Sequence, residues 1–164
     1  MSGQKQKFTS QDFALSSTQD RQYAYFAVTS NEPISDHVSS IPLEPSRYWN
    51  VGEIVVRGDR EFARRGSRWV IESGLPESEP LETHIEAVIE TVTPVLVRLQ
   101  ELPKHCIQSV VCVAFSVQSS GFVLPPKLLG QISDLGVNLE YDFYSNIDPH
   151  DELAELRSLI ARDR

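Results

Sequence analysis

Eight aliphatic side chains, Leu81, Ile85, Val88, Ile89, Val92, Val95, Leu96 and Leu99, recur at the spacing that gathers them on one stripe of an α-helix. Shortly after comes Val110-Val111-Cys112-Val113-Ala114-Phe115, a run apolar at every position and therefore a strand buried on both faces. A long amphipathic helix feeding such a strand needs a sheet with helices packed against it. The expected fold class is α+β. It is a two-layer sandwich, partly ferredoxin-like, with a mostly antiparallel sheet of about five strands and two main helices on one face.

The remaining elements follow from period and punctuation. Tyr23–Ser30 is aromatic and β-branched and reads as the first strand. Ile34, Val38 and Ile41 share one side of a short helix that Pro42 and Pro45 stop. Strands are expected over Arg47–Val56 and Arg68–Ser73, joined as a hairpin by the polar loop RGDREFARRGS. The long helix should start with Ser78 as its cap, be kinked by Pro94 and end by Pro103. A second helix carries Leu128, Leu129, Ile132 and Leu135, with Gly136 as its C-terminal cap. Leu139, Tyr141 and Phe143 then alternate with Glu140, Asp142 and Tyr144, a strand with one polar face. Expected core anchors are Phe26, Trp49, Trp69, Ile85, Val92, Leu99, Val113, Phe115, Leu129, Leu139 and Phe143.

The chain of 164 residues is expected to form one domain over 22–147, with a mobile lead-in at 1–21 and a C-terminal helix at 148–164. That last segment holds Leu153, Leu156, Leu159 and Ile160, enough apolar surface to require docking, and a homodimer is the expected result. A net charge of −8 argues against nucleic acid as partner. No apolar run is long enough to span a membrane, and the N-terminal stretch has no apolar core of an export signal. With two cysteines and no such signal, the expected location is the cytoplasm, with Cys112 a buried free thiol.

Catalytic signatures are missing from the sequence. His37, His84, His105 and His150 fall at no metal-ligand spacing and are expected at the surface. Neither a nucleophile elbow nor a phosphate-binding glycine loop occurs, so no metal, cofactor or catalytic residue is assigned. Glu82, Glu86 and Glu90 form a solvated acidic ridge on the outer side of the long helix.

Two features mark a binding surface. Arg57, Arg60, Arg64, Arg65 and Arg68 crowd twelve residues with only Asp59 and Glu61 among them, a local net of +3 that leaves −11 for the remainder. This fits either a site for an anion or acidic partner, or a solvated loop paired with the acidic remainder, which is the simpler reading. Tyr23 and Tyr25 share one side of the first strand, and Glu140, Asp142 and Tyr144 one side of the last. Such a face suits a ligand or protein partner. The candidate surface is therefore Tyr23, Tyr25, Arg47, Trp49, Glu53, Arg64, Arg65, Arg68, Asp142 and Tyr144. Its expected occupant is a protein or a small acidic ligand. The competing expectation is a small-molecule enzyme that uses Tyr144, Asp142 and hairpin arginines.

Tyr25-Phe26, the run Ile41-Pro42-Leu43-Glu44-Pro45-Ser46-Arg47-Tyr48-Trp49-Asn50-Val51-Gly52-Glu53, and Trp69-Val70-Ile71-Glu72-Ser73 together carry a family pattern. With the proline-bearing helix over 81–102, Phe122 to Leu129 and the ending Leu139–Tyr144, it resembles a bacterial family known as domain of unknown function 4279. The L-x-P-[ST]-x-x-W-x-x-G-[DE] run is its most specific part, and the resemblance covers residues 23–146. It implies a compact bacterial α+β domain and no catalytic residues. Read physically, Pro45-Ser46 turns the chain, Trp49 anchors it in the core and Gly52 permits a bulge or close approach. Alternatively, Arg47, Trp49 and Glu53 form a recognition corner.

Overall fold

The first strand occupies the middle of the sheet in the computed structural model, which describes residues 20–116 and 121–145. Strand β1 (Arg21–Ser30) is flanked by β5 (Ser67–Glu72) and β6 (Ile107–Ser116), both antiparallel to it. Outside these lie β2 (Arg47–Trp49), antiparallel to β5, and β7 (Asn138–Ser145), parallel to β6. The sheet order is β2-β5-β1-β6-β7. Strands β5 and β6 run the same way with β1 between them, the split crossover of ferredoxin-like folds. The second crossover differs, because β7 lies directly beside β6.

The helical stripe is the heart of the packing. Helix α2 (Leu81–Val92) buries Leu81, Ile85, Val88, Ile89 and Val92 against Phe26, Trp69, Ile71 and Val110 on one sheet face. Phe26 and Trp69 meet edge to face, their centroids 6.4 Å apart. Pro80, not Ser78, is the N-terminal cap, and its carbonyl accepts from the Thr83 and His84 amides. Pro94 does more than kink the helix. The chain tightens into a 3-10 turn over Thr93–Val95 and resumes as α3 (Leu96–Gln100), because proline has no amide to offer the preceding turn.

Between β1 and β2, helix α1 (Ser35–Val38) is a single turn, with Ile34, Val38 and Ile41 buried as the spacing required. The expected strand over 47–56 is broken in two. After β2, Gly52 takes φ +83 in a turn, and β3 (Ile54–Arg57) pairs instead with β4 (Arg60–Ala63) as a separate hairpin. Gly58, with φ +59, stands first in its two-residue turn, where glycine is favoured. The expected arginine-rich loop is thus partly a strand. Its composition hid the pairing.

Helix α4 (Pro126–Leu135) ends at Gly136 in the left-handed conformation, φ +68. Its inward stripe is Leu128, Ile132 and Leu135, and Leu129, one step round the helix, is 49% exposed rather than a core anchor. Leu139 and Phe143 also leave the expected core, at 37% and 41% exposure, because β7 is an edge strand with a neighbour on one side only. His84 departs the other way, fully buried in α2 instead of at the surface. Of the expected lead-in at 1–21, Arg21 opens β1, while residues 1–19, the expected C-terminal helix over 148–164 and His150 lie outside the described residues.

Candidate functional site

Directly paired residues on neighbouring strands point to the same side of a sheet. The registers therefore write out the second face row by row. Trp49, Arg68, Thr29 and Ile107 form one row, and Arg47, Val70, Ala27, Ser109 and Asn138 the next. Glu72, Tyr25, Val111 and Glu140 follow, then Tyr23, Val113 and Asp142, and finally Arg21, Phe115 and Tyr144. The buried helical side chains belong to the core on the opposite face, whereas the buried cluster here, Tyr25, Ala27, Val70, Val111 and Val113, comes from strands alone.

Seven of the ten residues proposed from sequence share this face: Tyr23, Tyr25, Arg47, Trp49, Arg68, Asp142 and Tyr144. Trp49 was expected as a core anchor. It is half-buried here, because its position on β2 points away from the helices. Val113 and Phe115 belong to this face for the same reason. Val113 is buried as expected, but in this strand-only cluster, whereas Trp49 and Phe115 are only partly buried.

Aromatic rings run along the face. Phe115 stacks on Tyr144 at 4.9 Å and 17°, Tyr23 lies 6.4 Å from Phe115, and Tyr25 lies 6.2 Å from Tyr23. Two guanidinium groups flank this strip. Arg21 sits 4.0 Å above the Phe115 ring, and Arg47 sits 5.6 Å from Tyr25 while its Nε contacts Glu72 Oε1 at 2.9 Å. Ser109 Oγ donates to Glu140 Oε1 at 2.5 Å. Burial pushes the Tyr23 and Tyr25 phenols above their ordinary value, reinforced at Tyr23 by Tyr25 and opposed at Tyr25 by Arg68. Both therefore stay protonated at neutral pH and can donate as well as accept hydrogen bonds.

At one end of the face, the turn after β2 builds a basic corner. The Asn50 amide donates to Glu53 Oε1 at 2.7 Å, Gly52 N donates to the Arg64 carbonyl, and Arg64 N donates to the Glu53 carbonyl. Asn50 Oδ1 accepts from Ile34 N, and Ser67 Oγ accepts from Val51 N while donating to the Glu32 carbonyl. Glu53 thus holds the turn and is not on the sheet face. The result is that Arg64 lies over Trp49, 4.2 Å from the ring centroid, with Arg68 at 6.0 Å. A cleft of about 420 Å³ opens beside them, lined by Thr29, Trp49, Arg64, Arg65, Arg68 and His105 among others.

Among the described residues, Arg60, Arg64, Arg65 and Arg68 form no ion pair with a carboxylate; the ion pairs there are Arg21–Glu77, Arg47–Glu72 and Arg98–Glu101. Arg21, Phe115 and His105 belong to the surface and were missed. Phe115 lies in a strand apolar on both sides, where alternation is invisible, and Arg21 sits where a loose lead-in was expected.

The other candidate chemistry sits elsewhere. His84 Nδ1 is 2.6 Å from Ser73 Oγ in the helix-side core, and desolvation pushes its imidazole below the ordinary value despite the Pro76 carbonyl. Cys106 and Cys112 are free and buried, and burial pushes the Cys112 thiol up to about 12, so it is not a thiolate. No group of three or more metal-ligating side chains occurs among the described residues, and no described helix is long and apolar enough to cross a membrane.

An α+β sandwich domain with an aromatic and arginine-bearing second sheet face is the class these features define. The family described as Domain of unknown function (DUF4279) matches residues 20–146, and the chain belongs to it. Comparison with the curated proteins and with the solved structures finds no match.

Proposed function

We propose that this chain is a cytoplasmic, non-catalytic binding module that receives a protein or a small acidic ligand on its second sheet face. The observation that carries this reading is the convergence of Tyr23, Tyr25, Phe115 and Tyr144 with Arg21, Arg47 and Arg68 on one side of the sheet. Aromatic and arginine side chains give large, stiff contact area with hydrogen-bonding tips, the composition of interface hot spots. The hydroxyl–carboxylate pair on this face, Ser109 with Glu140, has its serine buried at 2% exposure. Its carboxylates are committed to, or spaced among, neighbours such as Arg47 and Ser109.

Affinity capture with the full chain tests the reading. An identified partner should be retained by Val97→Ala, an exposed site on the helical side, and lost in Arg47→Glu and Tyr144→Ala. A partner unaffected by both face variants, or turnover of a small molecule that those variants abolish, overturns it and favours the enzyme reading. Self-association through 148–164 is proposed alongside. Light scattering should give a dimer for the full chain and a monomer for a chain ending at Ile147, and two monomers would refute it.

A further inference from the structure

We infer that the cleft between Trp49 and the segment Arg64–Arg68 is a binding site for a small phosphorylated molecule held by its phosphoryl oxygens. The inference rests on the binding-module reading and names the ligand class for one corner of that surface.

Charge makes the first argument. Among the described residues lining the cleft, the permanently charged side chains are Arg64, Arg65 and Arg68, with His105 beside them and no carboxylate. This occurs in a chain whose net charge is −8, and none of the three arginines has an ion-pair partner among the described residues. Three guanidinium groups gathered without a counter-charge repel one another, and an anion from outside relieves that cost.

Geometry makes the second. Arg64 is fixed by an indole rather than an acid, and its Nε is enclosed without a hydrogen-bond partner among the described residues. Stacked through its flat face with Nε enclosed, this guanidinium has its terminal amino groups left for paired hydrogen bonds to an oxyanion. Gly66 brings the segment close to the sheet. A Cβ there would stand 3.0 Å from the Ser30 carbonyl oxygen, a backbone atom that cannot swing away. The number of donors then selects the ligand. A planar carboxylate offers two oxygens, whereas a phosphoryl group offers three in a tetrahedral array, which suits a cleft lined by three arginines. A cleft of about 420 Å³ is sized for a small molecule.

Inorganic pyrophosphate is the probe, with the two indole N–H resonances of the full chain as reporters. Trp49 lines the cleft and Trp69 is buried in the helix-side core, so Trp49 should shift saturably while Trp69 stays still. The double variant Arg64→Gln, Arg68→Gln should bind at least about tenfold more weakly with its Trp69 signal unchanged, which reports an intact fold. Succinate at matched ionic strength should bind more weakly than pyrophosphate. No Trp49 shift, or an equal shift in the double variant, overturns the site, and equal or tighter succinate binding overturns the phosphoryl assignment. A phosphorus spectrum of the same sample separates the two readings. Pyrophosphate that binds and is hydrolysed supports the site and defeats the non-catalytic module.

Discussion

Arg64 lies over Trp49 although fourteen residues, a whole β-hairpin among them, separate the two in the chain. The pairing is set by the turn between them: Gly52 and Glu53 exchange backbone hydrogen bonds with Arg64, and Glu53 folds its carboxylate back on the Asn50 amide. In this chain the Trp49-x-x-Gly52-Glu53 run therefore places Arg64 over the Trp49 indole. Its residues act through geometry, not through chemistry of their own.

The two tryptophans should respond differently to truncation. Trp69 is buried to 1% exposure and packed on Phe26, so Trp69→Ala should cost about 3–5 kcal/mol in urea unfolding. Trp49 is half-buried on the second face, and Trp49→Ala should cost only about 1–2 kcal/mol. Equal losses would place Trp49 in the core after all.

Gly52 offers a backbone test of the turn. A Cβ there meets no atom within 4 Å, so the expense of Gly52→Ala comes only from holding a non-glycine residue at φ +83. That strain is about 1–2 kcal/mol, and it should appear as a lowered thermal midpoint. An unchanged midpoint would mean that the turn is not held as described.

Stability should fall with acidification because of His84. Its folded-state value lies below the ordinary 6.5, mainly through desolvation, so the unfolded chain takes up the proton first. The contribution is complete above 6.5 and is lost as pH drops from there toward the folded-state value. The nearby Glu77 and Glu79 carboxylates oppose this shift without reversing it. Urea midpoints measured downward from pH 7.5 should decline in the wild type and flatten in His84→Gln. A wild-type midpoint that rises on acidification from 6.5 would contradict the sign.

Cysteine accessibility gives a simple check on packing. Cys112 is fully buried with its thiol pushed up to about 12, and Cys106 is buried as well. A chromogenic thiol reagent should find neither in the native protein at pH 7 and both after unfolding. Rapid native labelling of Cys112 would show that the central strand is open.

Much of the architecture was legible because one periodicity dominated each segment. The stripe from Leu81 to Leu99 and the alternation over Leu139–Tyr144 read directly as elements, and the pair Tyr23 and Tyr25 fell on the same face as Asp142 and Tyr144. Sidedness was harder. Strand β6 is apolar at every central position, so nothing in its pattern tells Val113 and Phe115, which face away from the helices, from Val110 and Cys112, which face them. The β3–β4 pairing was masked by arginines, whose composition resembles a loop. The basic corner was legible as charge and as a candidate surface but not as a geometry, because the Arg64–Trp49 stacking depends on one turn conformation.

Side-chain footprinting by hydroxyl radicals, with and without a partner captured by the full chain, shows which sheet face is covered on binding. Oxidation of Tyr23, Trp49 and Tyr144 should drop when the partner binds, while Val97 and Leu129 on the helical side stay as reactive as in the free protein. Protection of Val97 and Leu129 with unchanged oxidation of Tyr23, Trp49 and Tyr144 would contradict binding on the second face.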